Sequence, residues 1–400
     1  MPRVLLIAPT CDGQDVGESW VSYQWARHLA QRCDTTLVTY HKRTATPAAE
    51  QLDGLRVVEW IEPPLLGRVE RLNSIAKPGY VSFYRRARRW VVDALATGEH
   101  FDLAFQPTPV AMRYPSPVVG LGIPTIVGPV GGGLADPPGF SADGTSEPWY
   151  YRLRELDGMR LRRDRLLRRT FEEADCVLGI ADYVAEALSG LTLKRFETMP
   201  ETAVAQIPEP VERVAGPRVR ALFAGRLVRS KGVHELVDAL AATTAPVDLE
   251  IAGVGPEDES LRRQVTALGL EDRVTFHGWV ERPAMAELYR RADVFAFPSY
   301  REPGGNAPLE AMSWGLPLVV AARGGPGAFT TDECAIRLPV TSPERFRTDI
   351  TAALDRLGGD AALRRTMGEA GRRHVAATAT WPAKVDRLLA LGAELAADRR

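Results

Sequence analysis

Two carboxylates, Glu302 and Glu310, flank the turn Gly304-Gly305-Asn306, and an apolar helix is predicted to start at once through Ala307, Leu309, Ala311 and Met312. Glycines remove the side chains that would hold an anion off the backbone, and a helix start offers unpaired N–H groups aimed at it. Acids facing a phosphate would repel it, so the two glutamates suit hydroxyls, as on a sugar and a ribose. Further upstream, Gly225-Arg226-Leu227 leads to Lys231-Gly232, between a predicted strand end and a helix start. Arginine supplies a planar fork of donors and lysine a point charge, a combination suited to an anion. Two solvated surface cations would give the same pattern, and the acidic turn further on favours phosphate binding. Ala252-Gly253-Val254-Gly255-Pro256 is another turn that permits close approach. Together these stretches read as a site for a sugar nucleotide.

The elements that must position these residues follow an α/β rhythm. A buried strand over residues 293–297 leads into the acidic turn, at the carboxyl end where open α/β sheets bind ligands. Apolar runs at 3–9, 35–40, 55–61, 101–106, 124–127 and 174–180 suit buried parallel strands, with helical periodicity at 20–29 and 77–95. The second half repeats the series, with strands at 221–224, 247–251, 273–280 and 318–321 and helices at 233–242, 284–292 and 306–314. Gly315 serves as the left-handed cap of the last, with Pro317 beyond it. Helices at 361–377 and 383–397 close the chain. His277, on one of these strands, can be a core histidine or a ligand.

Two glycine loops of the first half are candidates for a facing wall. The loop after the first strand carries Gly17 and Glu18, and a purely structural turn would look alike. Gly128-Pro129-Val130-Gly131-Gly132-Gly133 concentrates backbone freedom at a strand end, which suits either close approach of an acceptor substrate or a tight connection. Residues 141–148 read as a polar mobile loop. Residues 150–170 are rich in arginine with a partial apolar stripe, so this stretch can lie on an anionic membrane surface or be an ordinary surface helix with its interleaved acids. Residues 197–217, with four prolines, read as the inter-domain linker.

The 400 residues suffice for two domains, and 45% hydrophobic, 25% charged and a net charge of −1 are ordinary for a soluble globular protein. Near neutrality argues against a dedicated nucleic-acid binder. Cys11, Cys33, Cys176 and Cys334 show no metal or redox spacing, and neither a signal peptide nor a membrane-spanning run is legible. The expectation is a cytoplasmic protein, with peripheral contact at the inner face of a membrane left open.

The order and spacing of Gly225-Arg226-Leu227, Lys231-Gly232, Ala252 to Pro256, and Glu302-x7-Glu310 followed by Ala311-Met312-x-x-Gly315-x-Pro317 resemble the family 4 glycosyltransferases. The Gly128 to Gly133 run looks like a subgroup associated with surface or capsular polysaccharide synthesis, and Trp381 before a last helix is similar to the family as well. The resemblance implies the GT-B architecture: α/β, two Rossmann-like doubly wound domains facing across a cleft. Residues 1–208 would bind the acceptor and 209–381 the nucleotide sugar, with the helix at 382–400 packing back on the first domain. It further implies retaining transfer of a sugar, hexosyltransferase-like, from a nucleotide diphosphate sugar to an acceptor hydroxyl in polysaccharide, glycolipid or glycosylated-metabolite biosynthesis. Arg226 and Lys231 would neutralise the leaving diphosphate with backbone N–H groups near Gly305 and Asn306; Glu302 would hold hydroxyls of the sugar and Glu310 those of the ribose. Gly225, Gly253, Gly255, Gly304 and Ala307 would complete the donor site, and Gly17, Glu18, Gly131 and Gly132 would face the acceptor. The departing phosphate itself takes the acceptor proton in this reading, so no protein nucleophile, metal or other cofactor is expected. The two acids should not be read as a glycosidase pair, which flanks one bond at about 5–10 Å.

One departure from the family pattern stands out. Many relatives carry a histidine where this chain has Phe105-Gln106-Pro107-Thr108, and Gln106 or Thr108 would have to replace its hydrogen bond. Two other readings are a GT-B nucleotide-sugar 2-epimerase and a catalytically silent sugar-nucleotide-binding subunit. Release of nucleotide only when acceptor is added separates transfer from epimerisation, and the joint presence of Arg226, Lys231, Glu302 and Glu310 speaks against the silent subunit.

Overall fold

A computed structural model describes residues 1–43, 45–63, 79–140, 158, 160, 161, 163–213 and 216–399. The chain divides into two compact units. Unit 1 takes Met1–Gly133, the described part of Glu147–Glu201, and Trp381–Arg400 as far as residue 399; unit 2 takes residues 134–140 and the described part of Thr202–Thr380.

In unit 1 the strands β1 (Arg3–Thr10), β2 (Asp34–His41), β3 (Arg56–Ile61), β4 (Leu103–Gln106), β5 (Thr125–Val130), β6 (Cys176–Gly179) and β7 (Phe196–Thr198) form one parallel sheet in the order β3-β2-β1-β4-β5-β6-β7. Leu5, Ile7, Val38 and Ala104 pack with Phe83, Ala87 and Val91 of the helix Tyr80–Ala96 on one side. Val127, Val130 and Val177 pack with Leu167 and Phe171 of the helix Arg165–Glu173. Continuous apolar strands are what a sheet covered by helices requires. The closing helix, Trp381–Asp398, also belongs to this unit, where Trp381 meets Trp25 edge-on at 5.6 Å.

In unit 2, β8 (Val219–Ala224), β9 (Val247–Ala252), β10 (Val274–Gly278), β11 (Val294–Phe297), β12 (Leu318–Ala321) and β13 (Ala335–Leu338) form a parallel sheet ordered β10-β9-β8-β11-β12-β13. The order reverses between β8 and β11, which pair Val294 with Ala221 and Phe295 with Leu222. Such a reversal leaves a crevice beyond the strands' carboxyl ends, because successive connections depart in opposite directions. In unit 1 the equivalent reversal lies between β1 and β4.

Several expectations need revision. The stretch at 197–217 is not a linker throughout, since it begins inside β7 and the chain passes from one unit to the other at 201–202 rather than 208–209. Residues 134–140, expected in the first domain, belong to unit 2, because Phe140 packs 4.6 Å from Tyr300 and 5.8 Å from Phe346, and Asp136 pairs with Arg301 at 2.9 Å. β5 extends through Gly128 and Pro129 to Val130, beyond the expected end at 127. The expected loop at 141–148 and, of the arginine-rich stretch, residues 150–157, 159 and 162 lie outside the described residues. Its end is the helix Arg165–Glu173, capped by the Asp164 carboxylate, which accepts from the Leu166 and Leu167 N–H groups at 3.0 and 3.3 Å. Within it Arg168 and Arg169 are paired with Glu172 and Glu173 one turn on, which lowers the charge it offers an anionic surface.

Candidate functional site

The crevice of unit 2 is built by the connections leaving β8 and β11. After β8 the chain turns through Gly225, Arg226 and Leu227 into a short 3-10 turn, Arg229–Lys231, and the helix Val233–Ala242 follows. Gly232 joins the two in the left-handed region at φ 70°, and a Cβ there would stand 2.2 Å from the Pro298 carbonyl oxygen. Only glycine lets the turn close against the end of β11. After β11 the chain runs through Pro298 to Gly305, itself at φ 96°, into the helix Asn306–Ser313.

These two connections bring residues from distant parts of the chain together. The Lys231 ammonium donates to Glu302 Oε2 across 71 residues, with 17% and 14% of the two side chains exposed. Lys231 Nζ also lies 5.1 Å from the centroid of Phe297, the last residue of β11. Arg226 is exposed, and among the described residues its guanidinium has no ion-pair partner. The helix Asn306–Ser313 starts without a side-chain cap, so the N–H groups of Asn306 and Ala307 face outward at its positive end, while Pro308 has none to offer. The Asn306 amide oxygen accepts from the Thr202 hydroxyl.

Glu310 lies one turn into this helix; the residue as a whole is exposed, while its carboxyl end sits against Tyr289, whose hydroxyl donates to Oε2 at 3.2 Å. Burial pushes the Glu310 carboxyl above its ordinary value, against the pull of the Tyr289 hydrogen bond and the Arg282 charge. Burial also pushes the Tyr289 phenol well up, and the Glu310 charge adds to it. A raised tyrosine remains a donor, which fixes which partner gives the proton. Tyr289 carries no motif of its own, and only the fold reveals its place.

Two glycine turns flank this centre, and the closest approaches to them come from the protein's own backbone. A Cβ on Gly253 would stand 1.8 Å from the Gly225 carbonyl oxygen, and one on Gly255 would stand 2.1 Å from that of Leu227. The N–H groups of Gly225 and Leu227 donate to Ala252 and Val254 at 2.9 and 3.0 Å. A Cβ on Gly325 would stand 1.7 Å from the Gly304 carbonyl oxygen, and one on Gly324 2.1 Å from that of Glu302. So Gly253 and Gly255 let the β9 loop lie on the β8 loop, and Gly324-Gly325 let the β12 loop lie under the acidic turn. His277 is tied to Glu250 at 3.0 Å on the neighbouring strand.

The candidates of unit 1 stand at its own reversal, between β1 and β4. Gly17 precedes the helix Glu18–Ala30 at φ 66°. The Glu18 carboxylate accepts from the Val110 N–H at 3.1 Å, and the Ser22 hydroxyl meets that of Thr108 at 2.9 Å. Thr108 is fully buried, and Gln106, also buried, donates its amide to the Tyr80 hydroxyl at 3.1 Å. Both side chains are buried, with the Gln106 amide oxygen left without a hydrogen-bond partner among the described residues. Gly131 packs so closely that a Cβ would stand 2.3 Å from Ile180 Cδ1, whereas the space around Gly132 is open and its N–H donates to the Tyr183 hydroxyl at 3.3 Å. Among the described residues no group of three or more His, Cys, Asp or Glu is placed to hold a metal ion, and no helix is long and apolar enough to cross a membrane.

Comparison with known proteins bears on this site. Residues 209–374 match the family described as glycosyl transferases group 1. The lipopolysaccharide core biosynthesis glycosyltransferase LpsE of Rhizobium meliloti is 32% identical over 214 residues, covering 50% of this chain and 59% of that protein. The chain spans less than two thirds of the length of the curated relatives it matches. Among solved structures, HepE from Anabaena, in complex with UDP and glucose, matches with a TM-score of 0.57 at 16% identity, covering 98% of this chain and 100% of that one. Sucrose-phosphate synthase from Thermosynechococcus elongatus gives 0.59 at 20% identity, with 100% of both chains covered. The structural likenesses show the fold: two parallel-sheet α/β domains of the GT-B type.

Proposed function

We propose that the chain is a retaining glycosyltransferase that takes its sugar from a nucleotide diphosphate sugar and passes it to an acceptor hydroxyl. The observation that carries this reading is the meeting of Lys231, Glu302 and the uncapped start of the helix Asn306–Ser313 at the strand reversal of unit 2. The match of residues 209–374 to group 1 glycosyl transferases, and a solved relative of the same fold that holds UDP and glucose, support it. In the reaction the bond from the sugar's anomeric carbon to the β-phosphate oxygen breaks. The acceptor oxygen bonds to that carbon on the same face, and its proton passes to the departing phosphate. Lys231, the exposed Arg226 and the N–H groups of Asn306 and Ala307 would meet the charge that grows on the diphosphate, a preorganised electrostatic role. Glu302 would hold sugar hydroxyls and Glu310 the ribose. No step requires a metal or another cofactor.

A cytoplasmic setting with peripheral contact at an anionic membrane belongs to the same proposal. The exposed Arg85, Arg86 and Arg89 on the helix Tyr80–Ala96 support its electrostatic part.

The decisive experiment screens UDP-, GDP- and ADP-sugars by thermal shift, then follows nucleotide release with and without hydroxyl acceptors and reads the product's anomeric configuration by NMR. Acceptor-dependent release with retention is expected. Release without acceptor, or an epimerised sugar, would overturn the proposal.

A further inference from the structure

Lys231 stands on a turn of only three residues, and such a turn does not hold a long side chain in place by itself. The structure surrounds it with fixings that the donor reading leaves unexplained. The Arg229 guanidinium forms a two-pronged pair with Glu235, at 2.5 Å to Oε1 and 2.8 Å to Oε2, and only 2% of the Glu235 side chain is exposed. The Arg229 carbonyl accepts from the Tyr300 hydroxyl at 3.0 Å. The Ser230 carbonyl accepts twice, from the Tyr300 N–H and from the Ser299 hydroxyl, both at 3.1 Å. Every one of these bonds ends on the two residues just before Lys231, and Tyr300 itself lies two residues before Glu302.

We propose that Arg229, Glu235 and Tyr300 are positioning residues that hold Lys231 where a nucleoside diphosphate meets it. The proposal rests on the reading of Lys231 as the cation for the leaving diphosphate. The chemistry of the brace suits the task. A carboxylate buried at the start of the helix Val233–Ala242 would be costly alone, so Glu235 binds the guanidinium tightly and with one geometry. The phenol closes the arrangement from the β11 side, joining the lysine turn and the acidic turn through one side chain. Arg229 is thus committed to the fold. Lys231, two residues on, is the cation that this turn presents to the acidic turn, where it meets Glu302.

A double-mutant cycle tests this without needing the natural acceptor. Binding of UDP, GDP and ADP is measured by calorimetry, and the tightest of the three serves as the probe for wild type, Tyr300→Phe, Lys231→Ala and the double variant. Tyr300→Phe removes one hydroxyl and leaves the ring, and is expected to weaken the probe roughly 5-fold, as a typical hydrogen bond would. In the Lys231→Ala background the same change is expected to have no effect, because the phenol acts through the lysine. Arg229→Lys, which keeps a charge opposite Glu235, is expected to retain more affinity than Arg229→Gln. An equal loss from Tyr300→Phe in both backgrounds, or no loss in either, would overturn the brace. Lys231→Ala binding the probe as wild type does would overturn the reading of the lysine itself, which separates the two failures.

Discussion

The pairing of Lys231 with Glu302 means that the groups assigned to the donor's phosphate and to its sugar satisfy each other before any donor arrives. A diphosphate entering the site must share the ammonium with a carboxylate that repels it, and both side chains are sheltered enough for that repulsion to count. Glu302→Gln removes the charge and keeps the shape. It is therefore expected to tighten nucleoside diphosphate binding by roughly 10-fold while transfer slows, since a sugar hydroxyl exchanges a charged acceptor for a neutral amide. Calorimetry alongside turnover checks this, and weaker diphosphate binding in the variant would sink it. Glu310 gives a second prediction at this scale. Burial raises its carboxyl above the ordinary 4.5, to an extent its exposure limits. The carboxylate needed for ribose hydroxyls is lost as pH falls through that raised value. Nucleoside diphosphate binding should weaken on acidification before pH 4.5 is reached. The Tyr289 hydroxyl favours the charged form, so Tyr289→Phe should move the loss to higher pH. Identical pH profiles for wild type and variant would refute the assignment.

The loops at the ends of β8, β9, β11 and β12 are stacked backbone on backbone, so a methyl group in the wrong place displaces the site without touching a ligand. Gly325→Ala would place a Cβ 1.7 Å from the Gly304 carbonyl oxygen, forcing the acidic turn aside. A loss of about 1–3 kcal/mol is expected from such overpacking, with weakened diphosphate binding. Gly359→Ala, whose Cβ would meet nothing within 4 Å, serves as the contrast and should change neither. Denaturant melts of both variants decide the matter, and equal stability would show that the loops yield freely. The glycines show where sequence reading succeeds and where it stops. Close approach at Gly253 and Gly255 was legible from the residue type, but not that Gly225 and Leu227 make it. Buried parallel strands were legible because both faces are covered and the apolar runs are continuous. β7, of three residues and little buried, and β13, whose Arg337 is exposed, lack that run. The helix Pro343–Gly359 did carry its signals: Ser342 caps Arg345 at 3.2 Å, proline stands in the first turn, and Phe346, Ile350, Ala353, Leu354 and Leu357 line one face. The contacts of Gln106 with Tyr80 and of Thr108 with Ser22 could not be read from spacing, because those partners lie 26 and 86 residues away.

Taken whole, the chain returns to its first unit to finish, and the helix Trp381–Asp398 seals that core with an unusual group. Lys384 is fully buried, with Nζ 4.9 Å from the Trp25 ring centroid, 5.0 Å from that of Trp381, and 2.5 Å from the Pro200 carbonyl oxygen it donates to. Burial pushes its pKa down to about 7 from the usual 10.5, and the Glu201 charge pulls it back. The two rings and the carbonyl favour the ammonium as well. In the unfolded chain the lysine keeps its proton up to the ordinary value. Between the two values the unfolded state therefore binds more protons than the folded one, and stability must rise with pH across that window. The slope contributed is at most about 1.4 kcal/mol per pH unit. Lys384→Met keeps the length of the side chain and removes the titration. Denaturant melts of the wild type and this variant from pH 7 to pH 10 should show the wild type gaining on the variant as pH rises. A difference that stays constant over that range would mean that the tryptophans and the Pro200 carbonyl hold the ammonium charged in the folded core.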